Sequence, residues 1–255
     1  MNNRKYKNYE NIIIGRNSIR EALRVERSID TIYISKGSHI GAINEIIKKA
    51  KEKDILIKQI AQQKMDFMCN SKNHQGIIAI VAQYSYSTID DILLNAEEKG
   101  ELPFIVVADQ IEDPHNLGAI IRTAECAGAH GIIIPKRRSA GLTYAVNKAS
   151  AGALEYMPIA RVTNVASTLD ELKKKSIWIY GADITGSNWC ETNLKGAIAL
   201  VIGSEGYGIS KLVREKCDFI VSLPMMGNIN SLNASVAAGI LMYEICRQRK
   251  GILAK

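Results

Sequence analysis

Short apolar runs alternate with amphipathic segments along the first third of the chain. Apolar residues spaced three or four apart predict helices, whereas short apolar or alternating runs predict strands. The predicted strands are 31–35, 55–60 and 77–81, and the predicted helices are 18–25, 40–53 and 62–68. This alternation is typical of a small α/β sandwich of ordinary domain size.

A polar break at 83–88 follows, and then a helix is predicted at 89–99, where Gly100 gives a stop signal. We place a domain boundary here. The predicted organisation is an N-terminal domain at 1–82, a linker at 83–101 and a C-terminal domain at 102–255.

The C-terminal part has a second series of buried-strand runs separated by helical patterns. The strands are predicted at 104–108, 131–135, 177–180, 197–202 and 219–223. One helix is predicted to begin near 113–116 and to close at Gly128, and an Ala-rich helix is predicted at 232–247. Strands that alternate with helices predict a mostly parallel sheet covered on both faces.

Composition excludes several classes of protein. Of the 255 residues, 47% are hydrophobic and 23% charged, and no apolar run approaches the roughly 18 residues of a membrane span. The N-terminal apolar run is too short for a signal peptide, so we expect a cytoplasmic protein. Five scattered cysteines without a C-x-x-C pair, and four histidines without ligand spacing, favour reduced thiols and no metal.

The net charge of +7 favours a polyanionic partner, most often a nucleic acid. Residues 1–27 include seven basic and three acidic side chains. Four of the arginines recur at helical spacing and are expected on one helix face, where they would contact phosphates. These four are Arg16, Arg20, Arg24 and Arg27. A solvated basic surface is the alternative.

The most informative segment is the apolar run at 200–202, which ends in the glycine-rich sequence GSEGYG at 203–208. A strand that runs into such a loop usually delivers a ligand site at its carboxyl end. The glycine order is not that of a dinucleotide site, and no P-loop lysine is present. Glu205 would also repel a phosphate. S-adenosylmethionine has no phosphate and fits better, whereas a tight turn after a core strand is the alternative.

Two further segments carry polar residues at predicted helix starts. Asn116 lies where a helix begins, and Arg122 points off its apolar stripe, an arrangement suited to an anion such as an RNA phosphate. In the third segment, Ser231 is predicted to be the N-cap of the last helix, with Asn233 and Ser235 in its first turn. A capping residue, a surface arginine and turn residues would explain these segments without a function.

Taken in order, three segments resemble the motifs of the SpoU/TrmH family, RNA ribose 2′-O-methyltransferases of the SPOUT class. They are DPHNLGAIIR at 113–122, GSEGYG at 203–208 and SLNASVA at 231–237. The resemblance covers roughly residues 102–255. The first part resembles the family's N-terminal RNA substrate-binding domain, similar to RNA-binding ribosomal proteins, through shorter sequences at 15–17 and 74–76.

This resemblance implies an α/β SPOUT domain with a deep trefoil knot, an exception to the rule against threaded chains. It also implies S-adenosylmethionine, bound in a bent conformation by three loops of the knot. The implied cofactor-binding residues are Gly203, Gly208, Leu223 and Leu232. Family members are homodimers with active sites near the subunit interface. Domain order and length are most like those of the 23S rRNA guanosine 2′-O-methyltransferases.

For catalysis, the resemblance places Arg122 at the centre, in contact with the phosphate of the target nucleotide. Because an arginine has a pKa above 12, we favour orientation and charge stabilisation over a general-base role. Asn116, Glu205 and Asn233 would hold the arginine, the loops and the ribose in place, and Ser231 would assist. The destination of the 2′-hydroxyl proton stays open.

Three alternatives differ in function. A nicotinamide-dependent Rossmann enzyme is disfavoured, because the chain lacks G-x-G-x-x-G after its first strand and the acidic residue that should follow. A non-catalytic RNA-binding protein with this fold would not need the four polar residues of the motifs. A tRNA ribose 2′-O-methyltransferase keeps the chemistry, although the N-terminal domain favours a large structured RNA.

Overall fold

The computed structural model describes residues 11–25, 27, 29–36, 41–53, 55–71, 73–81 and 84–252. Arg4, Lys5 and Lys7 of the predicted basic stretch lie outside these residues, as does His39. The chain forms two compact units: one comprises the described residues up to Ser85 together with Leu142–Tyr156, and the other comprises Tyr86–Gly141 and the described residues from Met157 onward.

The first unit is built on a four-stranded sheet of order β1-β4-β2-β3, in which only β2 and β3 are parallel. Its elements are β1 Ile12–Ile14, α1 Arg16–Arg24, β2 Ile29–Ser35, α2 Gly41–Glu52, β3 Leu56–Ile60, α3 Gln62–Cys69, β4 Ile77–Val81 and α6 Tyr144–Ser150. The predicted strands and helices are confirmed with small shifts at their ends. The sequence analysis missed β1, because a run of three isoleucines is too short to show a period.

Residues Leu142–Tyr156 belong to the first unit although they lie far along the chain. Helix α6 packs against β1, and Tyr144 contacts the apolar cluster that includes Met65. Arg27 Nη1 forms a buried ion pair with Glu155 Oε1 at 2.7 Å, and the Tyr84 hydroxyl donates to the same oxygen at 2.7 Å. The ion pair and the hydrogen bond to Glu155 thus connect segments of the first unit that are distant in the sequence.

The predicted arginine row is therefore corrected. Helix α1 ends at Arg24, so Arg27 does not continue its face and instead forms the buried ion pair. Within the helix, Arg20 pairs with Glu45 at 3.3 Å, and Arg24 contacts the hydroxyl of Tyr156 at 2.9 Å. Arg20, Arg24 and Arg27 therefore all contact other residues of the first unit.

The second unit has a six-stranded sheet in the order β10-β8-β9-β5-β6-β7, and every pairing in it is parallel. Its strands are β5 Phe104–Ala108, β6 Gly131–Pro135, β7 Ile159–Val162, β8 Trp178–Asn188, β9 Ile198–Ile202 and β10 Phe219–Ser222. Its helices are α4 Ile89–Glu98, α5 Pro114–Cys126, α7 Val165–Lys174, α8 Lys211–Glu215 and α9 Ala234–Arg249. The predicted α/β class with a mostly parallel sheet is confirmed.

All residues of the central strands β5, β6 and β9 are buried, so the sheet is covered on both faces. Residues of α4, α7 and α8 pack on one face, while α5 and α9 contact β6 and β9. Helix α4 lies within the predicted linker but packs on β6 and β7. The trefoil knot stays a prediction. Among the described residues, no helix has the length and apolar character of a membrane span.

Candidate active site

The glycine-rich loop after β9 closes on itself. Ser204 and Gly208 exchange both backbone hydrogen bonds, at 3.0 and 2.8 Å, and Gly208 has a φ of 65°, which a glycine adopts without cost. A Cβ atom at Gly203 would overlap the backbone of Gly208 and Ile209. The loop therefore needs glycine at 203 for close approach and at 208 for conformation.

The buried carboxylate of Asp109 holds this loop beside the neighbouring strand β5. Asp109 follows β5, donates its backbone N–H to the carbonyl of Ile202 at 2.8 Å, and accepts from the backbone N–H of Ser210 at 2.8 Å. It is 3% exposed, so its bond to Ser210 is protected from water. Asp109 thereby fixes the two ends of the glycine-rich loop beside the end of β5.

Three of the predicted site residues meet at one point. Asn116 Nδ2 donates to Glu205 Oε1 at 3.1 Å, and Asn233 Nδ2 donates to Asn116 Oδ1 at 2.9 Å. Asn233 Nδ2 also contacts Glu205 Oε1. This triad, Asn116–Glu205–Asn233, joins α5, the glycine-rich loop and the start of α9. Both contacts to Glu205 use its Oε1 atom.

The helix starts confirm one prediction and correct another. Asp113 is the N-cap of α5, within the predicted start at 113–116, and accepts from the backbone N–H of His115 at 3.0 Å. Asn233, not Ser231, is the N-cap of α9, because its Oδ1 accepts from the N–H groups of Ser235 and Val236 at 3.0 and 3.3 Å. The prediction of a Ser231 cap is wrong, since the helix begins only at Ala234.

A first cavity of about 380 Å³ lies at the carboxyl ends of β8, β9 and β10. All four predicted cofactor-binding residues line it, and so does Ser231. They are Gly203, Gly208, Leu223 and Leu232. Its volume falls within the range typical of small-ligand pockets. None of the described residues that line it is basic, so the cavity suits a ligand without phosphate.

Asp183 adds a negative charge to the first cavity. Burial acts to raise the pKa of Asp183, but hydrogen bonds from Thr185 and the charge of Arg214 outweigh it and lower the pKa. The carboxyl group is therefore ionised at neutral pH, although Arg214 Nε lies 3.4 Å from its Oδ2 and offsets part of its charge. Asp183 was missed from the sequence: it follows the predicted strand end at 180 by three residues, but it belongs to none of the three motifs, and β8 continues to Asn188.

A second cavity of about 560 Å³ lies beside the first, at the carboxyl ends of β9, β5 and β6. The two cavities share a wall made of the glycine-rich loop and Ala234. Asn116 and Glu205 of the triad line the second cavity. Arg138, from the loop after β6, is the one basic group among the described residues that line it. The sequence analysis missed Arg138.

Arg122 is not brought to either cavity of its own chain. It lies six residues after Asn116 on α5, which displaces it by about 9 Å along the axis and about 240° around it. Its side chain is exposed and makes no hydrogen bond or ion pair with the described part of the chain. The predicted direction away from the buried stripe is thus observed.

Family models match both parts of the chain. Residues 103–243 match the SpoU rRNA methylase family, and residues 12–87 match the RNA 2′-O ribose methyltransferase substrate-binding domain. The protein YacO of Bacillus subtilis strain 168, named as a member of the TrmH tRNA/rRNA methyltransferase family, is 48% identical over 94% of this chain and 96% of its own. A Staphylococcus aureus protein named for the same family is 45% identical over 95% of this chain and 98% of its own.

A solved structure is similar over most of the chain. It is the SpoU methyltransferase AviRb of Streptomyces viridochromogenes, in complex with the cofactor AdoMet. The similarity has a TM-score of 0.80 and 26% identity, and covers 94% of this chain and 90% of AviRb. The fold and site therefore define an RNA methyltransferase. The chain belongs to the SpoU/TrmH family. The predicted family and enzyme class are therefore confirmed, and the alternative of a non-catalytic RNA-binding protein is not supported.

Proposed function

We propose that this protein transfers a methyl group from S-adenosylmethionine to a ribose 2′-hydroxyl of RNA. The observation that carries the proposal is the pair of adjoining cavities with the Asn116–Glu205–Asn233 triad at their boundary. A transfer reaction needs two ligands side by side, and one shared wall between two cavities suits that need.

The first cavity fits S-adenosylmethionine, and the predicted cofactor is supported by the family and by the AdoMet complex of AviRb. Gly203 leaves room for close backbone approach, Leu223 and Leu232 offer apolar contacts, and Asp183 adds a negative charge. S-adenosylmethionine supplies a methyl group activated by a sulfonium cation. A cavity without basic groups does not repel that cation.

The triad holds the wall between the two ligands. Glu205 Oε1 accepts hydrogen bonds from the side-chain amides of Asn116 and Asn233. These bonds fix the glycine-rich loop to the starts of two helices. Glu205 Oε2 has no hydrogen-bond partner among the described residues and can accept one from a substrate group. Ser231 lines the first cavity and assists binding there. We therefore assign these residues to positioning the two ligands and not to the bond-making step.

For Arg122 we propose a role across a subunit interface. Its own chain leaves it exposed and away from both cavities, and the resemblance implies a homodimer with active sites near that interface. In such a dimer, Arg122 of each chain would reach the site of the other chain. It would orient the target nucleotide and stabilise developing charge, because a guanidinium stays protonated.

The substrate is proposed to be a guanosine of 23S rRNA, and the site of action the cytoplasm. The substrate-binding model at residues 12–87 and the net charge of +7 support an RNA partner. Residues 1–82 would bind RNA and 102–255 would carry the methyltransferase site, while the predicted linker at 83–101 includes α4, which packs on the sheet of the second unit. A tRNA is the second candidate, because relatives named for tRNA/rRNA methylation cover nearly the whole chain.

Mapping 2′-O-methyl sites in total RNA from a deletion strain and its parent tests the proposal. We expect one 2′-O-methylguanosine of 23S rRNA to be absent from the deletion strain and restored by the wild-type gene. A site lost from tRNA instead would select the second candidate. Unchanged methylation of both RNAs would contradict the proposed function.

A further inference from the structure

The second cavity has the features of a nucleotide pocket, and it is separate from the cavity to which the cofactor is assigned. It is the larger of the two, and it adjoins the first along the wall that carries Glu205. Sheet order explains this arrangement. Strand β9 is shared, so one cavity extends over β8 and β10 and the other over β5 and β6. A ligand in the second cavity therefore lies beside the methyl donor.

The charge of the second cavity is unevenly distributed. Glu112, Asp113 and Glu205 bring carboxylates to it, and Arg138 brings the one guanidinium among its described lining residues. A phosphate would be repelled near the carboxylates and attracted only at Arg138. Carboxylate and amide groups elsewhere in the cavity suit the hydroxyl and amino groups of a nucleoside.

Arg138 is available for such a contact. It is exposed and has no hydrogen bond or ion pair with the residues that the structure describes. Its φ of 55° places it among six described non-glycine residues with positive φ, and Gln110, with a φ of 59°, lines the same cavity. Such backbone costs free energy and is often found where a site must be shaped.

The shared wall contributes two further groups. The Oγ atom of Ser204 is buried without a hydrogen-bond partner among the described residues, and buried hydroxyls normally have one. Tyr207 is 93% exposed and lines the cavity, so its ring offers a face on which a base can stack. Both groups are suited to a nucleotide in the cavity.

We propose that the second cavity receives the acceptor nucleotide and that Arg138 is a positioning residue that binds its phosphate. This inference rests on the proposed function. The nucleotide leaves the RNA stack and enters with its phosphate at Arg138 and its ribose toward Glu205. Arg138 thus fixes the 2′-hydroxyl beside the first cavity without taking part in bond making.

The test compares Arg138→Asn and Arg138→Lys with the control Arg137→Asn. Asparagine tolerates a positive φ, so the first variant removes charge without straining the loop. Arg137 is the exposed neighbour and lines neither cavity. Methyl transfer is measured with S-adenosylmethionine and total RNA from the deletion strain. Affinity for S-adenosylmethionine is measured by calorimetry, and affinity for the same RNA is measured without cofactor over a salt series.

We expect Arg138→Asn to lower kcat/KM for RNA by about 10- to 100-fold, as for a lost charged hydrogen bond. The slope of log RNA affinity against log salt should fall by about 0.7 to 0.9, as for one lost phosphate contact. Arg138→Lys should recover part of both effects. Arg137→Asn should match the wild type, and all three variants should bind S-adenosylmethionine normally.

Several results would overturn the inference. One is a wild-type kcat/KM and salt slope for Arg138→Asn, and another is an equal loss in Arg137→Asn. Weaker binding of S-adenosylmethionine by Arg138→Asn would assign Arg138 to the donor site instead. If the wild-type protein transfers no methyl group to RNA, the proposed function itself fails, and that outcome is distinct from the others.

Discussion

The two cavities at the carboxyl edge of the sheet share a wall and both carry carboxylates, but they differ in whether a basic group lines them and in how their residues could be recognised. The first is lined by glycines, leucines and Asp183, without a basic group among its described residues, whereas the second contains Arg138. A cavity without basic groups suits a sulfonium donor, and the guanidinium of Arg138 offers the second cavity one place for the phosphate of an acceptor. One parallel sheet can therefore separate the two ligands by assigning different strand ends to each.

Two predicted site residues of helix α5 also differ in their position relative to the cavities. Asn116 is buried in the triad, while Arg122, six residues later on the same helix, is exposed. If each cavity were complete within one chain, Arg122 would have no place at the site. The proposed homodimer would bring Arg122 to the site of the partner chain, so that donor, acceptor and partner-chain groups are separate sets of residues.

The largest effect is expected for Arg122→Ala. It should lower methyl transfer to RNA by about 100- to 1,000-fold, because a group that stabilises developing charge is lost. Affinity for S-adenosylmethionine, measured by calorimetry, should stay at the wild-type value, since Arg122 does not line the first cavity. Wild-type turnover in this variant would contradict the assignment.

Mixing two impaired variants, at an S-adenosylmethionine concentration too low for Gly203→Ala to bind it, shows which chain supplies Arg122. Arg122→Ala and Gly203→Ala chains, refolded together, should recover about a quarter of the wild-type rate, because half of the dimers are mixed and each has one intact site. If Arg122 acts within its own chain, the mixture stays inactive. Refolding each variant alone is the control.

A smaller effect is expected for Gly203→Ala, which should weaken S-adenosylmethionine binding by about 10- to 100-fold, the range for an overpacked site. The new methyl group would overlap the backbone of Gly208 and Ile209, which cannot move aside as a side chain can. The matched control is Gly227→Ala, in the loop after β10, where a Cβ meets nothing within 4 Å. RNA affinity should be unchanged in both. Equal cofactor affinity in the two variants would contradict the role of the loop.

The smallest effect concerns stability and lies away from both cavities. Burial lowers the pKa of His130, with help from Lys99 and Arg249, and its Nδ1 accepts from the backbone N–H of Phe104 at 2.9 Å. The unfolded chain therefore binds a proton more readily than the folded one. Stability from this residue is complete above the unfolded pKa of about 6.5 and is lost as the pH falls.

Urea unfolding of wild-type protein and His130→Gln measures this effect. Between about pH 7 and pH 5, the unfolding free energy of the wild type should fall more steeply, by at most about 1.4 kcal/mol per pH unit for one proton. Glutamine keeps an acceptor for the Phe104 N–H group. Parallel curves for the two proteins would show that the His130 proton is not linked to folding.

Much of the fold was predictable because apolar runs report burial. Strands β4, β5 and β6 were predicted with their observed bounds. Strand β7 was missed because its four residues show no alternation, and helix α7 was missed although its buried residues at 165, 168, 169 and 172 follow a helical spacing. Residues Leu142–Tyr156 could not be assigned to the first unit, because the Arg27–Glu155 ion pair leaves no local pattern in the sequence.

The site was predictable where motifs carry it and not elsewhere. Asn116, Glu205 and Asn233 meet as expected, because each lies at a loop or helix start beside a strand end. Arg138 was missed, since an arginine in a basic run after a strand is indistinguishable from a solvated one. Its position became informative only when sheet order placed the end of β6 beside the glycine-rich loop.

A crystal structure with S-adenosylhomocysteine tests the division of the two cavities most directly. We predict that this product binds against Gly203 and Leu223 in the first cavity and leaves the cavity of Arg138 open. Electron density for S-adenosylhomocysteine in the cavity of Arg138 would contradict the account.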